Sequence, residues 1–496
     1  MTDPSKFPDP VYRDTVLAPL FEGVKAHYAG HMTAINRAHL VMLVDTGILD
    51  RQQGRDIAKG LAAIDTETVL DALHYTGAYE DYFFFVEAEL KARVGADLGG
   101  MLHTARSRND MDHTVFKLAL RIRVAAMMEG LLDLAGAMIA KARAERDTPI
   151  VAYTHGQPAQ PTTFGHYLGA AIEVLLADIA RLQREAAALD LCPMGAAAIT
   201  TSGFPIDRAR VADLLGFLAP KQNSYGCIAS VDYITGLYSA LKLPFLHLGR
   251  LVQDMAFWSA FEVGQLYVPD ALVQVSSIMP QKRNPVPIEH MRHLASATVG
   301  RCDTILATMH NTPFTDMNDS EGEVQAAGYA AFDSGARMVA LLTAFLPACS
   351  INEDRVRANA DAACVTITEL ADSLVRTEGL SFRQAHEVAS AVARAVIAEG
   401  KPLGAGYAAF TVAFRAETGR APDMDDREYA AAVSLQGFIA VRHRFGGPAP
   451  APMDAALAEY DSTLAGLRAD LQTTRACRAA AKARLTDAFS NLTEPA

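Results

Sequence analysis

Apolar residues that return every three or four positions over long stretches constrain this chain more than any other feature. The series Leu168, Ile172, Leu175, Ile179, Leu182 steps by four, three, four and three, while Asp178, Arg181 and Arg184 occupy other faces. Only a helix gathers such positions on one side, and this rhythm is that of helices packed in bundles. A second series, Ile234, Leu237, Leu241, Pro244, Leu248, Leu251, Met255, Trp258, predicts a helix that the proline kinks but does not end. A third helix is expected from Val115 to Arg146, on the order of 45 Å long at about 1.5 Å per residue. Others are expected from Val286 to His310 and from Val324 to Phe345. Together they predict a bundle of about five long helices between residues 115 and 348. With no block of alternating β-branched residues and hairpin turns, the expected class is all-α.

At 496 residues the chain is expected to divide into several domains. Lys plus Arg number 45 against 57 Asp plus Glu, a formal charge of −12, and no basic cluster reverses that balance. Nucleic acid and anionic membrane are therefore not expected partners. Met1 to Val11 does not read as a signal peptide, and no apolar run reaches the length a bilayer demands. The six cysteines form no CxxC pair, which argues against a disulfide framework or a zinc site and for a cytoplasmic protein with no metal.

Chemistry is expected in the polar stretches between the rods. Ser276-Ser277-Ile278-Met279-Pro280-Gln281-Lys282-Arg283-Asn284-Pro285 collects two hydroxyls, an ammonium, a guanidinium and an amide, enough to bind a carboxylate and stabilise charge left by a departing proton. A solvated loop with a helix cap is the plainer reading. His103-Thr104-Ala105-Arg106-Ser107-Arg108-Asn109-Asp110 offers a similar grip on a carboxylate, or else a helix start in which Arg106 and Arg108 pair with Asp110 or Asp112. Thr154-His155-Gly156-Gln157-Pro158-Ala159-Gln160-Pro161 sets one histidine among prolines and amides. His166, His247 and His293 fall within helical rhythms and are read as structural.

Taken in order, these stretches resemble one known family. SSIMPQKRNP resembles the GSSxMPxKxNP signature of the aspartase/fumarase superfamily. HTARSRND and THGQPAQPTTFGHYL resemble HTGRSRND and THxQxAQPxxFGHYL of its argininosuccinate lyase branch. PMGAAAITTSGFPIDR at 193 to 208 and TELADSLVRTEGLSFRQAHEV at 368 to 388 agree with that branch, so the resemblance runs from about Ala34 to about Val388.

The resemblance implies a three-domain fumarase/aspartase-type fold, divided here as residues 1–114, 115–365 and 366–496. It implies a homotetramer with a twenty-helix core, its active sites shared between subunits, and a reversible elimination that releases fumarate without a cofactor. Ser277 is then the expected base, helped by Lys282, since serine is a poor base unless its alkoxide is stabilised. Thr154, Ser107, Arg108, Asn109, Gln160, Ser276, Lys282 and Asn284 are expected to hold the fumarate portion. His155 is expected to protonate the leaving group or, by preference, to orient the site.

Departures from the branch fall around the leaving amine. The family's Ser and Asp near that end fall on Phe21 and Lys25, and its EDVH motif reads Glu80-Asp81-Tyr82-Phe83. The acid after the signature becomes Val286, the tyrosine of PxxYNRD becomes Asp316, and two glycines become Val275 and Ala105. Lys25, Val286 and Asp316 are thus the amine-end candidates. The expected substrate is an N-substituted L-aspartate. Lys25 would suit an anionic amine, as in the aminopolycarboxylates ethylenediamine disuccinate and iminodisuccinate, whereas Asp316 would suit a cationic one. A non-catalytic tetramer of the lens-crystallin kind and a lyase with another leaving group, as in fumarase or adenylosuccinate lyase, are the remaining readings.

Overall fold

The computed structural model describes residues 7–494; residues 1–6, part of the N-terminal stretch discussed above, lie outside them. The architecture is all-α, with strand confined among the described residues to four two-stranded sheets. The principal elements begin with α1 (Ala18–His27), α2 (Ala29–Asp45), α3 (Arg51–Glu67) and α4 (Tyr82–Val94). There follow the 37-residue α5 (Arg108–Ala144), a hairpin of β1 (Pro149–Thr154) and β2 (Gln157–Thr163), and α6 (Phe164–Ala186). Next come α7 (Asp232–Ser259), β3 (Gln274–Val275), β4 (Arg283–Asn284), α8 (Val286–Thr308) and α9 (Gly322–Ala348).

Five of these, α5 to α9, are the expected bundle. Every member of the first two apolar series is buried, Leu168, Leu237 and Leu241 completely, and α7 runs through Pro244 unbroken. The third helix starts seven residues before the expected Val115 because the apolar pattern is blind to its first turns. Those turns are set by Ser107, whose side chain caps the helix while Asp110 bonds back to the Ser107 N–H. At its far end, α5 meets the start of α6 so closely that a Cβ on Gly165 would lie 2.5 Å from the Ala142 carbonyl oxygen.

A separate apolar core, including Leu370, Val388, Phe410, Phe414 and Tyr429, forms between residues 364 and 433. It joins α11 (Ile367–Glu378), α12 (Phe382–Glu399) and α13 (Tyr407–Thr418), preceded in the chain by α10 (Glu353–Ala362). The chain then returns to the bundle through the 44-residue α14 (Pro450–Thr493), which lies along α2, α3, α5 and α6. It buries Leu457, Leu471 and Phe489 and is flanked by ion pairs such as Arg475–Glu129 at 2.7 Å and Arg468–Asp133 at 2.8 Å.

Candidate active site

The start of α5 carries the first group of expected site residues, Ser107, Arg108 and Asn109. Ser107 Oγ bonds to Asn109 Oδ1 at 3.1 Å, and the Asn109 amide donates to the Ala198 carbonyl at 3.3 Å, tying the helix start to the 193–207 loop. That loop is pinned from below by Asp110, fully buried, whose Oδ2 accepts the N–H groups of Gly195 and Ala197 at 2.9 Å each. Burial pushes the Asp110 carboxyl up to about 6, against the pull of those bonds. The expected pairing of the two arginines with Asp110 or Asp112 is replaced by longer reaches. Arg106 donates to Asn36 at 2.6 Å, and Arg108 Nη1 donates to Glu80 at 2.9 Å and Asp81 at 2.7 Å.

Arg108 borders a small pocket that also takes in Tyr28, Met32, Asp81, Asp112, Val115, Phe116 and Glu321. Burial and the neighbouring Glu321 and Asp81 push Asp112 well above the usual carboxylate range. Burial, then Asp316, raises Glu321 to about 7, and burial raises Asp316 as well. Asp316 Oδ1 is buried without a hydrogen-bond partner and faces His113 Nε2, equally unpartnered, at 4.0 Å. Burial, with Lys117 and Lys221, lowers the His113 imidazole to about 4, so it is neutral at pH 7. Asp112, read from the sequence only as a partner for Arg106 or Arg108, and Glu321 were not among the expected site residues; the available signal was a carboxylate at 112 amid the apolar Met111, Val115 and Phe116.

The other groups sit elsewhere. Thr154 and His155 are exposed at the tip of the β1–β2 hairpin, with His155 at φ +54°. Gln160 donates to Thr368 at the start of α11, 3.4 Å away. In the signature loop, Ser276 Oγ accepts the Met279 N–H at 3.1 Å, Asn284 donates to the Gln274 carbonyl at 3.1 Å, and Ser277 and Lys282 are exposed. Ala105, His155, Ala197 and Thr201 all adopt left-handed backbone conformations, φ +58°, +54°, +51° and +62°. Such strain persists only where surrounding structure enforces it, and it gathers here in three of the singled-out loops.

Within one chain these groups do not meet. The hairpin follows the far end of α5, about 55 Å from Ser107, and its six- and seven-residue strands, spanning on the order of 20 Å, are too short to return. The hairpin and the signature loop share one end of the bundle, since Val151 bonds to Gln265 at 3.2 Å and Arg283 donates to the nearby Val268 carbonyl at 2.7 Å.

Two family models match the chain, a lyase family over residues 31–300 and an argininosuccinate lyase C-terminal family over residues 364–435. Argininosuccinate lyase 2 of Agrobacterium fabrum is 57% identical over 493 residues, 99% of this chain and 98% of that protein. The chain belongs to the argininosuccinate lyase family. Argininosuccinate lyase of Methanothermobacter thermautotrophicus is 34% identical, covering 86% of this chain and 91% of that one. A solved EDDS lyase variant with bound fumarate superposes with a TM-score of 0.85 at 28% identity, over 99% of this chain and 97% of that one. Class II fumarase of Schistosoma mansoni, at 14% identity and a TM-score of 0.68 over 88% and 94%, shares the fold. The chain is a fumarate-releasing carbon–nitrogen lyase.

Against the argininosuccinate lyase pattern, the three amine-end candidates separate. Lys25 reaches Glu22 at 2.8 Å and the Leu73 carbonyl, with only 10% of its side chain exposed. Asp316 lies at the Arg108 end beside Glu321, and Val286 opens α8 next to the signature loop. One α8 length, about 35 Å for 23 residues, separates the last two. No group of three or more metal-ligating side chains occurs among the described residues, and no helix there is long and apolar enough to cross a membrane.

Proposed function

We propose that this lyase splits argininosuccinate into arginine and fumarate, in active sites assembled from several copies of the chain. The observation that carries the substrate is the acidic pocket bordering Arg108, lined by Asp112 and Glu321, with Asp316 beside Glu321. Burial outweighs the pull of Arg108, whose charge is already shared with Glu80 and Asp81, and holds these carboxyls above their ordinary range; a second guanidinium beside them would favour their ionised forms. Lys25, already engaged by Glu22 and the Leu73 carbonyl, offers an anionic amine little.

In this reading Ser277 removes the proton next to a carboxylate, with Lys282 stabilising its alkoxide. Thr154, Ser107, Arg108, Asn109, Gln160, Ser276 and Asn284 hold the fumarate portion, and His155 orients the site. Asn109 at one end of α5 and His155 beyond the other can serve one substrate only if different copies supply them, which supports a homotetramer. Val275 and Ile278, 80% and 82% exposed in the single chain beside Ser277, fit a loop that is covered by a neighbour. A cytoplasmic setting and the division at residues 1–114, 115–365 and 366–496 belong to the same proposal; the separate core between 364 and 433 supports the last division.

The second reading, elimination from an aminopolycarboxylate, is favoured by the close superposition with EDDS lyase. The test follows fumarate absorbance while the purified protein is offered argininosuccinate, iminodisuccinate and ethylenediamine disuccinate. Release from argininosuccinate supports the first reading. Release only from an aminopolycarboxylate replaces it with the second.

A further inference from the structure

The two carboxylates on Arg108 are not equivalent. Asp81 is fixed at both oxygens: Oδ2 accepts Arg108 Nη1 at 2.7 Å, and Oδ1 accepts the Phe84 N–H at 3.0 Å as the cap of α4. The Arg108 guanidinium also lies over the Phe84 ring, 5.1 Å from its centre, so cap, ring and arginine form one unit. Glu80 is different. Its Oε1 accepts the same Nη1 at 2.9 Å, its side chain is 40% exposed, and no hydrogen bond among the described residues engages its second oxygen. Burial alone would lower the Arg108 pKa, but the hydrogen bonds to Asp81 and Glu80 raise it above its ordinary value, so the cation is firmly held in this arrangement.

We propose that Glu80 is an internal stand-in for a substrate carboxylate: it occupies Arg108 while the site is empty and gives way to the incoming dicarboxylate, whereas Asp81 is the positioning residue that keeps Arg108 aimed. This rests on the reading of Ser107, Arg108 and Asn109 as the fumarate grip. Exchanging one carboxylate for another keeps the half-buried guanidinium paired throughout, avoiding the penalty of an uncompensated charge. The exchange also has a cost, because a resident competitor weakens the apparent affinity by the fraction of time it holds the arginine.

The proposal sets opposite signs for neighbouring residues. Glu80→Gln keeps the shape and removes the charge; the inhibition constants of fumarate and of succinate, a non-eliminating dicarboxylate, should fall about threefold to tenfold with kcat within about twofold. Glu80→Asp, too short to reach Arg108 from the same backbone, should behave alike and guards against a fault particular to the amide. Asp81→Asn should lower kcat/KM at least tenfold and weaken both inhibitors. Damage to the fold does not tighten fumarate binding, so the gain in the Glu80 variants separates competition from a structural role. Unchanged or weaker binding in both Glu80 variants overturns the proposal while leaving the fumarate grip intact. A wild-type protein that binds neither dicarboxylate overturns the grip itself, and the stand-in with it.

Discussion

Ser107 caps one end of a 37-residue helix and Thr154 lies beyond its other end, at the tip of the β1–β2 hairpin, although both belong to the proposed fumarate grip. Helix length alone puts about 55 Å between the cap at Ser107 and the turn that leads into the hairpin. Two variants defective at opposite ends should therefore complement one another. Ser277→Ala and Asn109→Ala are each expected to lose about 10²–10⁴-fold in fumarate release. Denatured together and refolded, the mixture should release fumarate well above either alone, because some mixed sites inherit both intact ends. A mixture no better than its parents would place the whole site in one chain.

The carboxylates around Asp316 should matter for the amine and not for fumarate. Asp316→Asn with Glu321→Gln is expected to lower kcat/KM for a cationic leaving group about 10- to 100-fold while leaving inhibition by succinate within about twofold. Steady-state kinetics with both ligands measures the split. Equal losses for both would mean the acids support the site as a whole.

Stability should fall as pH rises through the range where Glu321 ionises. Burial raises this carboxyl from 4.5 to about 7, so the folded state holds its proton more tightly than the unfolded chain. Its contribution is level below about pH 4.5, declines between there and about 7, and is fully unfavourable above. Asp110, raised to about 6, slopes the same way at lower pH. Glu321→Gln should remove its part of the slope and raise the free energy of unfolding at pH 8 by on the order of 1–3 kcal/mol. Denaturant unfolding at pH 5 and pH 8 decides it; an unchanged difference between the two pH values in the variant contradicts the assignment.

Gly165 should tolerate no side chain. A Cβ there would meet the Ala142 carbonyl at 2.5 Å and the Arg146 Cα at 2.8 Å, both backbone. Gly165→Ala is expected to destabilise by about 1–3 kcal/mol and, because α6 follows directly from the hairpin, to lower activity through Thr154 and His155. Thermal unfolding and fumarate release check the two effects; a variant unchanged in both would show that the helix contact yields freely.

The C-terminal helix should be held by its apolar face more than by its charges. Arg468→Ala with Arg475→Ala removes two exposed ion pairs and should cost less than about 2 kcal/mol. Ending the chain at residue 449 uncovers the apolar ground on which Leu457, Leu471 and Phe489 rest, and should leave the protein aggregated. A soluble, stable truncation measured by size-exclusion chromatography would reverse that ranking.

How much was legible follows from what each feature depends on. A helix that buries one face needs apolar residues at a fixed local spacing, so the positions from Leu168 to Leu182 and from Ile234 to Trp258 announced their helices, and all proved buried. The start of α5 did not follow that rule, because a capping box of Ser107 and Asp110 sets it and the polar residues of its first turn carry no apolar rhythm. The motifs around Ser107, Thr154 and Ser277 were equally readable, since chemistry that relies on particular donors fixes residue types at short range. Local spacing carries no information about distance along a 37-residue rod or about which loops come to face one another. Only the tertiary structure brought Glu80 and Asp81 onto Arg108, set Asp112 and Glu321 in one pocket from separate elements with Asp316 beside Glu321, and put the expected halves of the site at opposite ends of the bundle. Those relationships arise from packing elements that are neighbours in space but apart in sequence, by 28 residues for Glu80 and Arg108 and by about two hundred for Asp112 and Glu321.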